Sequence, residues 1–199
     1  MVSIDSVMVY FEQVISDRVL DQVQQSFQLI RGLNGIIEII PSYCSILVTY
    51  DIKIYNHKSI KEVLEKALEN RNTSVLISSQ SIIEIPTDYT DSLDLQRIAD
   101  YNNLTIDEVI TLHTQSIYRV YAIGFMVGFA YLAQVDSKIA TPRLSNPRAK
   151  IPKGSVAIAD RQTAIYPQDS AGGWNIIGHT DFSEFKRFKI GDRVRFIAI

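Results

Sequence analysis

Val7, Val9 and Phe11 fall at every second position, the period of a strand with one covered face. Val19, Leu20, Val23, Phe27 and Ile30 then recur at helical spacing, with Ser16 or Asp17 placed to cap the start and Gly32 to close the end. Ile36–Ile40 and Ile46–Tyr50 are two strand-like runs around Pro41-Ser42, which predicts a hairpin turn there. Ser59-Ile60-Lys61-Glu62 has the spacing of a capping box, and Ile60, Val63, Leu64, Ala67 and Leu68 form the stripe of a second helix. Val75–Ile85 turns strand-like again. The order strand, helix, strand, strand, helix, strand predicts a ferredoxin-like split βαβ domain over residues 1–85. That arrangement hosts many unrelated functions and says little about activity.

Pro86–Asp91 reads as a connector. Leu95, Ile98 and Ala99 then mark a short helix, and Thr105-Ile106-Asp107-Glu108 opens another with a second capping box. Two short helices around Asn102-Asn103 have the outline of a helix-turn-helix. Between Asp91 and His113, however, Asp91, Asp94, Asp100, Asp107 and Glu108 stand against Arg97 alone, a sum of −4. Such a surface repels a phosphate backbone, so the pair is expected to cap a β domain. Beyond Ile117, short apolar runs are separated by Gly, Pro or Asn about every ten residues: Tyr118–Ile123, Ser155–Ala159, Thr163–Tyr166, Asn175–Ile177 and Arg193–Ile199. This spacing predicts a closed or nearly closed β-barrel over residues 86–199, and an α+β chain as a whole.

Composition narrows the function classes. A net charge of −2 argues against nucleic acid as the partner. The single cysteine, Cys44, builds no internal disulfide and fits a reduced, cytoplasmic setting. No Cys/His spacing matches a zinc site, so no metal is expected. Met1–Ser6 has no basic leader pattern, and the longest uncharged run, between Arg119 and Asp136, is broken by Gly124 and Gly128 and too short for a membrane helix.

The second half also carries an ordered series of motifs. Gly124-Phe125-Met126-Val127-Gly128-Phe129-Ala130-Tyr131-Leu132 is followed by Pro142-Arg143, Pro147-Arg148 and Ile151-Pro152-Lys153-Gly154-Ser155-Val156. Then come Gln162-Thr163-Ala164-Ile165-Tyr166-Pro167 and Gly172-Gly173-Trp174-Asn175-Ile176-Ile177-Gly178-His179-Thr180. This series resembles the family of 5-oxoprolinase B subunits, which includes the Kip-type histidine-kinase inhibitors and is also called allophanate hydrolase subunit 1, or the C/D subdomain of the carboxyltransferase domain. The resemblance implies a small α/β domain followed by a cyclophilin-like β-barrel. It further implies a protein that joins a homologous C subunit and a separate A subunit to open the lactam of 5-oxoproline with ATP, the nucleotide being bound by the A subunit. Other relatives place equivalent domains in urea carboxylase or act on amides such as allophanate, and the Kip-type members bind a sensor histidine kinase. A prolyl isomerase is a weaker reading resting on barrel type alone. The chain departs from the family where Val127, Ala130, Ala171 and Asp181 replace usual prolines, and where Ala157, Ala159, Asp160 and Ala164 replace usual glycines. These departures make a regulatory member an alternative.

A lactam or carboxylated amide offers a planar carbonyl and a carboxylate. Arg143 and Arg148 supply planar forks for the anion, or else simply pin two surface turns. Gly172-Gly173 either turns N–H groups toward an oxyanion or makes a tight turn at positive φ. Trp174 is a packing anchor or a stacking platform, and Gln162, Tyr166 and Thr180 complete the expected substrate-binding set. His113 and His179 are the acid–base candidates, while His57 sits in a polar loop. Phe125, Gly128, Phe129 and Tyr131 form a cluster suited to a core, a subunit interface or a pocket. These glycines, arginines and His179 are expected to converge at one barrel mouth.

Overall fold

The strands β1 (Ser6–Tyr10), β2 (Ile36–Ser42) and β3 (Ser45–Tyr50) pair antiparallel in the order β1-β3-β2. In β3 every second residue, Ile46, Val48 and Tyr50, is buried, as a sheet with one covered face requires. The computed structural model describes residues 2–69, 81–90 and 92–199, and the chain divides into two compact units, Met1–Ser79 and Gln80–Ile199.

In the first unit α1 (Asp17–Arg31) is capped by Ser16, whose side chain accepts from the Val19 N–H. Val19, Val23 and Ile30 of α1 and Ile60 and Leu64 of α2 (His57–Glu69) pack with Ile46, Val48 and Tyr50. Two local expectations shift. The hairpin turn lies at Tyr43-Cys44, and Pro41 sits inside β2 opposite Ile46. Because β2 is an edge strand, the missing N–H of a proline costs the sheet little there. The capping box lies three residues upstream of Ser59-Glu62: the Ser59 N–H donates to Asn56 Oδ1 and the Asn56 N–H donates to Ser59 Oγ, each at 3.0 Å. His57 therefore opens α2 instead of lying in a solvated loop, and its Nδ1 is 2.7 Å from the Tyr50 hydroxyl. Of the fourth strand expected over 75–85, residues 75–80 lie outside the described part.

The rest of that run, β4 (Ile83–Thr87), pairs in parallel with the final strand β12 (Arg193–Ala198) in the second unit. Pro86, where the sequence placed the domain boundary, is within β4 opposite Ile197. Between them lie α3 (Leu95–Asn102), α4 (Ile106–Thr114), β5 (Tyr118–Ile123), β6 (Ala130–Ala133), β7 (Arg148–Ile151), β8 (Ser155–Ala159), β9 (Gln162–Ile165), β10 (Ser170–Gly172) and β11 (Asn175–His179). Thr105 and Glu108 form the expected reciprocal box at the start of α4.

A seven-stranded sheet runs β11-β8-β9-β6-β5-β12-β4, and β7 and β10 form a separate two-stranded ribbon. The two edges meet where Asp88 and His179 exchange backbone hydrogen bonds of 2.8 and 2.7 Å, which nearly closes the sheet into a barrel. Gly178 permits this seam, since a Cβ there would lie 2.7 Å from the Asp88 carbonyl oxygen. Residues from all seven strands meet in one cluster, which therefore marks the interior, and Leu95, Ile98, Ala99 and Val109 of α3 and α4 join it. Each fully buried side chain of this kind contributes about 1.5–3 kcal/mol.

Candidate functional site

Successive residues of a strand point to opposite faces, so the strands that fill the interior also build a second face. Val156, Ile158, Ile165 and Leu132 enter the interior cluster. Their neighbours Ala157, Ala159 and Ala164 face the other way and pack with Phe129, Tyr166, Trp174, Ile176 and Ile151. Phe129 is the hub: its ring meets Tyr131, Tyr166 and Trp174 edge-on, with centroids 4.9, 5.4 and 5.7 Å apart. Trp174 is a packing anchor here, 5% exposed. Phe125 touches the hub at 5.5 Å but is itself exposed, and Gly128 lies against Phe185.

The β7–β10 ribbon lies against this aromatic face. Gly172 makes that approach possible, because a Cβ there would be 2.3 Å from the Tyr166 hydroxyl and 2.8 Å from Ile151 Cδ1. Neither Gly172 nor Gly173 has a positive φ, so close packing and not a left-handed turn explains the first of them. The Trp174 backbone N–H donates to the Tyr166 hydroxyl, which lies buried beneath the ribbon. Burial raises the pKa of both Tyr131 and Tyr166, with the Arg143 charge pulling the other way on each, so both phenols are neutral donors near pH 7.

The two Pro-Arg turns differ. Arg148 is clamped: its Nη1 and Nη2 donate to both oxygens of Asp94 at 2.8 and 2.7 Å. The Arg148 side chain is 29% exposed and that of Asp94 is 6% exposed. Arg143 is exposed at the surface, and its charge reaches both tyrosines. Asp94 also accepts from the Ile176 N–H at 2.7 Å, and Arg97 donates to Asn175 Oδ1 at 2.6 Å. Asn175 Nδ2 in turn donates to the Pro142 and Ile158 carbonyls, each at 3.0 Å. Sequence reasoning placed Asp94 and Asn175 in family motifs and counted Asp94 and Arg97 in a charge sum, but assigned none of the three a place at the site. The available signal was an acidic residue directly before an apolar helix stripe; as the N-cap of α3 it makes no side-chain cap bond, because its oxygens are spent across the fold.

The histidines do not join this site. His113 is fully buried, with Nδ1 2.7 Å from the Tyr89 hydroxyl and Nε2 2.9 Å from Thr163 Oγ1. Both nitrogens are taken, and burial drops its pKa from 6.5 to about 3, so it is a neutral core residue and not an acid–base group. His179 lies at the barrel seam, with Nε2 3.6 Å from Asp181 and its side chain 54% exposed. Trp174 directly precedes β11 and His179 ends it, roughly 16 Å of extended chain apart. A single small ligand does not touch both, so the expected convergence at one mouth is not found. Thr180 is buried and donates to the Pro86 carbonyl. Gln162 is half-buried on β9, between Ala133 and Ala159 of the flanking strands. Among the described residues no group of three His, Cys, Asp or Glu side chains is placed to hold a metal, and no helix is long and apolar enough to cross a membrane.

Residues 1–191 match the carboxyltransferase domain, subdomain C and D family. The chain belongs to that family. Its Bacillus subtilis relative, the B subunit of 5-oxoprolinase, is 34% identical across 98% of this chain and 89% of its own length. The crystal structure of TTHA0988 superposes with a TM-score of 0.84 at 29% identity, covering 99% of this chain. The present chain spans 40% of that longer protein. The Kluyveromyces lactis urea carboxylase shares the fold over 98% of this chain, with a TM-score of 0.77 at 15% identity, and this chain spans 21% of it.

Proposed function

We propose that this chain is the B subunit of an ATP-dependent 5-oxoprolinase, opening the 5-oxoproline lactam to glutamate beside a homologous C subunit and an A subunit in the cytoplasm. One observation carries the reading: the chain is 34% identical, across 98% of its length, to a Bacillus subtilis protein named as the B subunit of 5-oxoprolinase. The relatives named as 5-oxoprolinase B subunits, among them a Haemophilus influenzae protein 40% identical over 58% of this chain, support the same reading.

In this arrangement the exposed Arg143 pairs with the lactam's carboxylate, and the ring carbonyl is the reacting group. Water adds at that carbon, the ring C–N bond breaks, and the nitrogen leaves as the amine of glutamate. A donor aimed at the carbonyl counts most when negative charge builds on the oxygen. Gly172-Gly173 does not serve as a phosphate cradle, because Tyr166 and Ile151 fill the space above Gly172. ATP is assigned to the A subunit, as the family resemblance implies. Mixing the chain with its A and C partners is expected to give 5-oxoproline-dependent ATP hydrolysis, with none from the chain alone. A reconstituted complex that releases no glutamate removes the reading.

A further inference from the structure

We infer that Asp94 is the positioning residue for both Pro-Arg turns, holding Arg148 directly and the Arg143 turn through β11. This rests on Arg143 as the cation that meets the ligand. Asp94 occupies the end of α3 and reaches two other elements at once. Its carboxylate takes the Arg148 fork of β7 at 2.7 and 2.8 Å and the Ile176 N–H of β11 at 2.7 Å. Its own N–H donates to the Ile176 carbonyl at 2.8 Å, so Asp94 and Ile176 are locked in both directions. One residue before Ile176, Asn175 holds the Pro142 carbonyl, and Arg97, one turn along α3, holds Asn175. Two residues before Asn175, the Gly173 carbonyl accepts from the Leu144 N–H at 2.7 Å. Arg143 is thus bracketed by anchored neighbours on each side, at Pro142 and Leu144, and both anchors come from the segment 173–175 that leads into the Ile176 bonds of Asp94.

A surface loop would otherwise leave Arg143 free to sample many positions, and orientation of a binding group is lost rapidly with small displacements. The carboxylate is nearly inaccessible and both its oxygens are engaged by three hydrogen bonds, so Asp94 acts through Arg143 and not on the ligand. Arg148, with both Nη atoms committed, is part of the same support.

The test is a double-mutant cycle in the reconstituted three-subunit complex. Asp94→Asn keeps the shape but replaces an acceptor with a donor facing Arg148. It is expected to raise the KM for 5-oxoproline about ten-fold with kcat nearly unchanged, and Arg143→Gln is expected to do the same. The double variant is expected to be no worse than Arg143→Gln alone, because the first change acts only through the second residue. Additive KM effects would overturn the inference, as they would show Asp94 acting by another route. A second arm needs no catalysis. Trp174 is the chain's only tryptophan and adjoins Asn175, so its fluorescence reports this part of the molecule. In the full chain, Asp94→Asn is expected to increase acrylamide quenching of Trp174; unchanged quenching would also overturn the inference. If the wild-type complex does not turn over 5-oxoproline, the enzyme reading falls and the quenching arm alone decides the positioning role. Arg148→Lys, which keeps the charge but cannot form the fork, gives the same comparison if Asp94→Asn does not fold.

Discussion

Along β8 and β9, Val156, Ile158 and Ile165 turn into the barrel, while Ala157, Ala159 and Ala164 turn outward beneath the aromatic cluster. The interior closes its polar groups on one another. His113 bridges Tyr89 and Thr163, and the Tyr118 hydroxyl donates to the His113 carbonyl at 2.8 Å. The outer face is equally well packed around Phe129, but its rim carries the exposed Arg143 within electrostatic reach of two phenols. The two faces thus differ in how far their polar groups reach solvent. A buried imidazole with both nitrogens satisfied specifies packing, whereas a solvated cation is not held by the packing around it.

The largest effect expected is on the outer face. Phe129→Ala removes the hub of three ring contacts and should destabilise the second unit by about 3–5 kcal/mol, measured by urea unfolding followed through Trp174. A loss under about 1 kcal/mol would mean that this face is a loose pocket and not a second core.

The interior is tested by pH. The native His113 has its pKa lowered from 6.5 to about 3, so its contribution is complete above 6.5. As pH falls below that value the unfolded chain takes up a proton that the native state refuses, and stability drops by about 1.4 kcal/mol per pH unit. Between pH 6.5 and pH 4.5 the loss should therefore be roughly 2 kcal/mol, and His113→Gln should flatten the profile over that window while lowering its plateau. Asp5, Asp88, Glu108 and Asp169, all held below their ordinary values chiefly by hydrogen bonds, add their losses at lower pH. A profile of the wild type that is level from pH 6.5 to 4.5 would contradict a buried neutral imidazole.

Smaller effects separate binding from support at the rim. Arg143→Gln should change unfolding free energy by less than about 0.5 kcal/mol, because the residue is exposed, while costing about ten-fold in KM. Equal losses of stability and affinity would place Arg143 in the support and not at the ligand. Smallest of all, Arg187→Gln breaks an exposed 2.8 Å pair with Glu184 and should shift stability by no more than about 0.5 kcal/mol.

Much of the local structure was legible because it depends on neighbours in sequence. The strand-like run Ile46–Tyr50, a helix cap at Ser16, one of two residues offered for it, and the Thr105–Glu108 box are all present. The misses share a cause. Pro41 suggested a turn, but an edge strand tolerates proline, and edge position is a property of the sheet. Ile83–Ile85 continued the first unit's pattern, yet its pairing partner β12 lies more than a hundred residues away. His113 had the chemistry of a general base, and only its burial between α4 and the barrel removes that chemistry. Asp94 added to a negative surface sum but is itself withdrawn from solvent and paired with Arg148.

Residue type and short spacing were enough to set the periodicities, most of the caps, the family and the supply of side chains able to meet a lactam. A linear chain states those outright. Only the folded chain settles which of two matching arginines is clamped and which is exposed, and on which side of a barrel each titratable group lies. Such outcomes hinge on partners brought from distant segments, since Asp94 and Arg148 acquire their roles only when α3 and β7 meet.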